Sequence, residues 1–152
     1  MLAALQQTAL AVWVSESVWA YPLILTAHTG GLALLVGGST LFDLRLLGAG
    51  PRVPVAPLMR ILPIMMVGLV VNAATGLTLF IAAAEERGTQ PIFYTKILCI
   101  IGALVVDRRV RRSLPDAGSP TRDVSWRVRA LAVASLALWA GAIVAGRLIA
   151  YM

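Results

Sequence analysis

Apolar residues dominate four stretches of the chain, and charged or turn-forming residues separate them. The stretches cover residues 21–42, 61–84, 92–106 and 131–151. A helix needs about 20 apolar residues to cross a bilayer, so the pattern predicts four membrane-spanning helices. The third stretch is short, and we expect its helix to continue beyond Asp107.

Short connections between these stretches predict how the helices are arranged. Residues 48–57 and 113–123 are rich in glycine and proline, which is typical of loops. Short loops place consecutive helices side by side and antiparallel. The expected fold is therefore all-α, with residues 1–152 forming a single membrane domain built as a four-helix up-down bundle.

The segment before the first apolar stretch, residues 2–18, has a different pattern. Leu2, Leu5, Ala9 and Trp13 recur at helical spacing, with polar residues between them. An amphipathic helix of this kind lies in the membrane interface. We therefore expect an N-terminal interfacial helix that does not cross the bilayer.

Composition agrees with a membrane protein. Hydrophobic residues make up 59% of the 152 residues, charged residues 13%, and the mean hydropathy is +0.86. Soluble domains are roughly half apolar and about a quarter charged. The single cysteine, Cys99, excludes an intramolecular disulfide.

Basic residues are concentrated in two of the connections. The chain has 13 basic and 7 acidic residues, a net charge of +6. Arg45, Arg52 and Arg60 follow the first stretch, and seven more arginines lie between the third and fourth: Arg108, Arg109, Arg111, Arg112, Arg122, Arg127 and Arg129. Arginine-rich loops stay in the cytoplasm, so we expect both termini outside the bacterial inner membrane. This distribution explains the basic pI without a nucleic-acid partner.

His28 is the only histidine, and no formally charged residue lies between Glu16 and Asp43. Seven residues of helix place it roughly 10 Å inside Tyr21, and similar counts bring Cys99 and residues 76–78 to the same depth. An ionisable residue within a span is a candidate for a functional role. A neutral imidazole held by a hydrogen bond to Thr26, or to a hydroxyl on another helix, is the alternative.

A haem b group is one ligand that this layer could hold. His28 would bind the iron, while Gly31 and Gly76 would leave room for a flat cofactor. Lys96 and Arg147 would face the propionates. The alternative is that the glycines pack helices together and that the two cations extend towards lipid head groups.

A copper ion is the other ligand considered. His28 and Cys99 would form a soft two-ligand site, because thiolate favours Cu(I).

Asn72, a polar residue near the middle of the second apolar stretch, has a structural interpretation. Gly68, Asn72 and Gly76 are each four residues apart and share one helix face. We expect Asn72 to form a hydrogen bond across the bundle.

Asp43 lies in the segment DLRLLG, residues 43–48, at the end of the first stretch that carries the arginines. A carboxylate at this depth is expected to have a cationic partner. We expect an interfacial ion pair with an arginine such as Arg60 or Arg108.

Several of these motifs together resemble a known family. They are Tyr21-Pro22, His28, Gly37, DLRLLG at 43–48, Thr75-Gly76 and FYTKIL at 93–98. The chain resembles an uncharacterised family of small four-helix bacterial membrane proteins over nearly its whole length. More distantly it is similar to the membrane domain of copper-resistance D proteins, which implies a link to copper.

Two functional hypotheses follow. The first is an integral inner-membrane protein that binds haem b or copper in the outer half of the bundle, with a redox or copper-handling role. The second is a non-catalytic membrane subunit or scaffold, in which His28 is structural and the partner is a second copy or a protein on the outer face. A stand-alone hydrolytic enzyme is disfavoured, because no acidic residue lies at the depth of His28 to orient it as a base.

Overall fold

A computed structural model describes residues 2–49, 58–112, 124–149 and 151. Every regular element in these ranges is an α-helix. The helices are α1 (Leu2–Gln6), α2 (Ala9–Glu16), α3 (Ala20–Leu47), α4 (Leu62–Ala82), α5 (Ala84–Gly88), α6 (Pro91–Arg112) and α7 (Trp126–Ile149). Apart from Gly48 and Ala49, the two connections predicted at 48–57 and 113–123 lie outside the described residues.

Three of these helices, α3, α4 and α7, are long and apolar enough to cross a membrane. The expected all-helical fold is therefore confirmed, and three of the four expected spans are long and apolar enough to be compatible with a multi-pass membrane protein. The fourth long helix, α6, has 22 residues and carries charged residues near both ends. It runs past Asp107 to Arg112, as the short third stretch predicts.

The outward faces of the long helices carry large, exposed apolar side chains. Leu23, Val70, Leu77 and Leu98 are each more than 60% exposed. A helix in a soluble protein would present polar residues on that face. The exposed apolar residues on α3, α4 and α6 thus agree with a lipid environment.

Local sequence signals explain where α3 and α4 begin and end. Pro22 and Pro63 lie in the first turns of these helices, where the missing N–H has no intrahelical partner to lose. α3 ends at Gly48, whose φ of +105° is left-handed. That conformation suits glycine and lets the Gly48 N–H bond to the Arg45 carbonyl, 3.2 Å away.

The four long helices meet in one core. α3 packs most extensively on α4 and α6 on α7, while α3 also contacts α7. Leu35, Met65, Ala103 and Trp139, one residue from each long helix, form a buried cluster at most 3% exposed. Met65 therefore fills the core, in the half of α4 away from His28.

The N-terminal segment differs from the single helix expected over residues 2–18. It forms two short helices, because the Thr8 hydroxyl donates to the Leu5 carbonyl at 2.7 Å and accepts from the Ala11 N–H. Thr8 thus ends one helix and caps the next. α2 packs on α4 through a side that buries Ala11 and Val14, and α1 contacts α5.

Candidate functional site

His28 lies on α3 and faces α4, where it is half-buried. Its Nδ1 atom is 3.1 Å from the carbonyl oxygen of Asn72 and 3.1 Å from the Thr75 hydroxyl. A carbonyl oxygen only accepts hydrogen bonds, so Nδ1 of His28 carries a hydrogen and donates a hydrogen bond to the Asn72 carbonyl. Nε2 then keeps its lone pair, and no described residue bonds to it.

Asn72 returns a hydrogen bond to the same residue. Its side-chain Nδ2 donates to the backbone carbonyl of His28 at 2.9 Å. The predicted bond of Asn72 across the helices is therefore confirmed. Two reciprocal hydrogen bonds therefore connect α3 and α4 at this point. We call His28, Asn72, Thr75 and Gly76 together the histidine site.

Glycines on both helices allow this close approach. A Cβ atom on Gly31 would lie 2.9 Å from the carbonyl oxygen of Gly68 and 2.9 Å from the Asn72 nitrogen. A Cβ on Gly76 would lie 3.0 Å from Cε1 of His28. The predicted face of Gly68, Asn72 and Gly76 is thus the face that contacts α3. The space beside Gly31, expected to admit a flat cofactor, is filled by the backbone of α4.

The two cations predicted near this layer have different environments. Lys96 on α6 lies against α7, where a Cβ on Gly146 would be 3.6 Å from the ammonium nitrogen. Arg147 is exposed. Lys96 and Arg87 both lie close enough to the imidazole of His28 to act on its charge.

Arg87 is a residue that the sequence analysis did not single out. Its guanidinium donates to the carbonyl oxygen of Leu79 at 2.8 Å. Leu79 lies in the last turn of α4, where carbonyl groups lack intrahelical partners. Arg87 thus stabilises the end of α4 and brings a positive charge towards the histidine site.

Cys99 belongs to another helix contact. A Cβ on Gly141 of α7 would be 3.3 Å from its sulfur, and the thiol is half-buried between α6 and α7. His28 instead faces α4. Within the described residues, no three His, Cys, Asp or Glu side chains are grouped to hold a metal ion.

A second polar group joins three helices at the other end of α3. We call it the aspartate cluster, and its residues are Ser39 and Asp43 on α3, Asp107 and Arg111 on α6, and Ser135 and Trp139 on α7. Asp43 is 15 residues beyond His28, which corresponds to about 22 Å along the helix. The cluster and the histidine site are therefore separate.

Asp107 is the hydrogen-bond acceptor at the centre of this cluster. Ser39 donates to its Oδ2 at 2.8 Å, and Ser135 donates to its Oδ1 at 2.7 Å. The indole N–H of Trp139 donates to the Ser39 hydroxyl at 3.0 Å. Arg111 lies 3.8 Å from Oδ2. Asp107 therefore connects α3 and α7 to its own helix.

Asp43 has a different environment from the one expected. It is 2% exposed, and its Oδ2 atom has no hydrogen-bond partner within residues 2–49, 58–112 and 124–149. The arginine that acts on its carboxyl group is Arg111, whereas Arg60 and Arg108 are exposed. The expected ion pair of Asp43 with Arg60 or Arg108 is therefore not formed. The charged neighbours of Asp43 are instead Asp107 and Arg111.

One signal in the sequence does point to the aspartate cluster. Three apolar helices each carry a pair of polar residues spaced four apart. The pairs are Ser39 and Asp43, Asp107 and Arg111, and Ser135 and Trp139. Residues four apart share a helix face. The pattern marks three polar faces, although which of them meet depends on the packing of the helices.

Trp139→Phe tests the bond between α3 and α7. The change keeps an aromatic ring but removes the N–H donor to Ser39, and we expect the free energy of unfolding to fall by about 1–2 kcal/mol. SDS-induced unfolding in detergent micelles measures this change. Trp126→Phe is the matched control with little expected effect, since Trp126 is 73% exposed. Equal losses in both variants would contradict a specific role for the Trp139 N–H.

Comparisons with known proteins do not identify either site. Neither models of known families, nor curated proteins, nor solved structures match the chain. The resemblance to a small four-helix family, and the more distant one to copper-resistance D proteins, stay predictions.

Proposed function

We propose that the chain is a multi-pass protein of the bacterial inner membrane, in which α3, α4, α6 and α7 form an up-down bundle. The three long apolar helices and the exposed apolar residues of α6 support this arrangement. The arginines that follow α3 and α6 support a cytoplasmic location for those ends, because arginine-rich loops stay in the cytoplasm. Both termini then lie outside, and α1 and α2 lie in the outer interface.

For the histidine site we propose the binding of haem b or a copper ion through Nε2 of His28. The observation that carries this proposal is the bond from Nδ1 to the Asn72 carbonyl. Histidines that bind metals commonly donate their other ring N–H to a backbone carbonyl, which fixes the tautomer and the ring orientation. Bound haem or copper would supply one-electron redox chemistry, and the role would be redox or copper handling.

The positions of the two side chains disfavour a copper ion held by both His28 and Cys99. The thiol of Cys99 faces α7, whereas the imidazole faces α4. Lys96 and Arg87 supply positive charge towards the imidazole, which suits an anionic group such as a propionate. Arg147, on the turn of α7 beside Lys96, is a further cation for the same group. A second axial ligand would come from another copy of the chain or from a partner.

A non-catalytic membrane subunit or scaffold is the second candidate. The reciprocal bonds between His28 and Asn72 favour it, because they satisfy polar groups of both helices without a ligand. The close contact of Gly31 with Gly68 also stabilises the α3–α4 pair in the absence of a cofactor. In this case His28 is a structural residue.

Absorption spectra of the purified protein, oxidised and reduced, test the proposal, with metal analysis of the same sample. The protein is expressed with added haem precursor and copper. His28→Gln keeps a side-chain donor for the Asn72 carbonyl but removes the ring nitrogen that would bind the metal. We expect a Soret band in the wild type and its loss in His28→Gln, with the thermal stability largely kept.

The variants separate the candidates. Cys99→Ser is expected to leave a haem spectrum unchanged, and loss of bound copper in this variant would instead indicate the two-ligand copper site. A wild-type protein without pigment or stoichiometric metal overturns the cofactor proposal. If His28→Gln then lowers the thermal stability, the structural role is the one supported.

A further inference from the structure

Counted over the described residues, the aspartate cluster contains one more negative than positive charge. Asp43 and Asp107 are 2% and 5% exposed, and Arg111 is the guanidinium beside them. The charged groups that act on Asp43 are Asp107 and Arg111, both on α6, while α7 contributes the Ser135 hydroxyl. A net negative charge buried in the apolar interior is unfavourable, so this set of described residues favours the uptake of one positive charge.

Hydrogen bonds distinguish the two carboxyl groups. Each oxygen of Asp107 accepts a hydrogen bond from a serine hydroxyl, Oδ2 from Ser39 and Oδ1 from Ser135, and Arg111 lies 3.8 Å from Oδ2. These are the surroundings of an ionised carboxylate. Oδ2 of Asp43 is buried, and no residue in the described part of the chain donates to it. An ionised oxygen is unfavourable there, whereas a neutral carboxyl group is tolerated.

A small cavity adjoins Asp43. It has a volume of about 10 Å³, and Ser39, Phe42, Asp43, Asp107, Val110 and Arg111 line it. This is room for about one water molecule. The Arg111 side chain is 26% exposed, so the cavity lies beneath a residue that reaches the surface.

We propose that Asp43 and Asp107 form a proton-binding carboxyl pair, in which Asp43 binds the proton and Asp107 stays ionised beside Arg111. The Asp43 carboxylate takes up one proton from the aqueous solution and becomes a neutral carboxyl group, and release returns the proton to the solution. The site lies at the opposite end of α3 from His28 and does not depend on a cofactor there. It is a proton-binding site close to the arginine-rich surface of the protein.

A proton fits this site better than a metal cation such as Na⁺. A cation needs several free oxygen lone pairs, but the Asp107 oxygens already accept hydrogen bonds from serines. Ser39 donates to Asp107 and also accepts from Trp139, which leaves it little capacity for a cation. The guanidinium of Arg111 repels a second positive ion at the cavity. A proton needs only the unpartnered Oδ2.

Infrared spectroscopy of the full-length protein in lipid vesicles at neutral pH tests the proposal. A protonated carboxyl group absorbs at a higher frequency than a carboxylate, and its band shifts in D₂O. We expect such a band in the wild type, a further shift when the aspartates carry a ¹³C-labelled carboxyl carbon, and loss of the band in Asp43→Asn. Glu85→Gln, which changes an exposed carboxyl group, is the matched control and should keep the band.

The labelled wild type keeps the test decisive even if Asp43→Asn does not fold. Absence of an aspartate band of a protonated carboxyl group at neutral pH overturns the proposal. So does a band that persists in a folded Asp43→Asn variant. Carboxylate bands that respond to replacement of Na⁺ by choline at constant pH would show a cation site and would also overturn it.

Discussion

Asp107→Ala is expected to lower the free energy of unfolding by about 3–5 kcal/mol, the range for breaking a buried charged network. Truncation removes the acceptor for the hydroxyls of Ser39 and Ser135, bonded at 2.8 and 2.7 Å. It also leaves Arg111 without its carboxylate. Because these bonds join α3, α6 and α7, their loss weakens contacts between three helices. Reversible SDS-induced unfolding in mixed micelles, followed by circular dichroism, measures the change.

Asp43→Ala is the matched control for this prediction. It removes the same atoms from another buried aspartate, so the cavity it creates is of similar size. Among the described residues, Oδ2 of Asp43 has no hydrogen-bond partner to lose, whereas both oxygens of Asp107 accept a hydrogen bond. We expect a loss smaller by about 2 kcal/mol than that of Asp107→Ala, the value of roughly two buried hydrogen bonds. Equal losses would mean that the hydrogen bonds to Asp107 do not determine stability.

Gly31→Leu is expected to separate α3 from α4 and to cost about 3 kcal/mol of unfolding free energy, at the upper end of typical overpacking effects. A Cβ at this position would already be 2.9 Å from backbone atoms of Gly68 and Asn72. Backbone cannot move aside as a flexible side chain can. The reciprocal bonds between His28 and Asn72, which lie beside this contact, should break as the helices part.

Gly30→Leu provides the control one residue earlier on the same helix. Nothing lies within 4 Å of a Cβ on Gly30, which is exposed on the outward side. We expect its unfolding free energy to change by less than about 0.5 kcal/mol, as for most surface substitutions. The same detergent unfolding experiment compares the two variants. Similar losses at both positions would contradict the α3–α4 contact at Gly31.

The helices were largely predictable from the apolar pattern. The stretches at 21–42, 61–84, 92–106 and 131–151 correspond to Ala20–Leu47, Leu62–Ala82, Pro91–Arg112 and Trp126–Ile149. The main differences are extra helical turns at the ends of α3, α6 and α7 near the arginines. Hydropathy marks only the apolar part of a helix, whereas backbone hydrogen bonding continues through charged residues to a cap such as Gly48.

The histidine site was predictable in part. Spacing by four placed Gly68, Asn72 and Gly76 on one face, and the need of a buried amide for a partner predicted its bond across the helices. The partner of His28 was not predictable, because several hydroxyls lie at a similar depth. The role of Gly31 also depended on which helix lies next to it.

The sequence by itself determined the all-helical fold, the approximate helices and the order of the polar residues along each of them, because hydropathy and helical spacing are local properties. Only the tertiary structure decided which polar faces meet. It brought Ser39, Asp107 and Ser135 together from three helices and left Oδ2 of Asp43 without a partner. The rotation and neighbours of each helix follow from side-chain packing across the whole core, which no single stretch of sequence specifies.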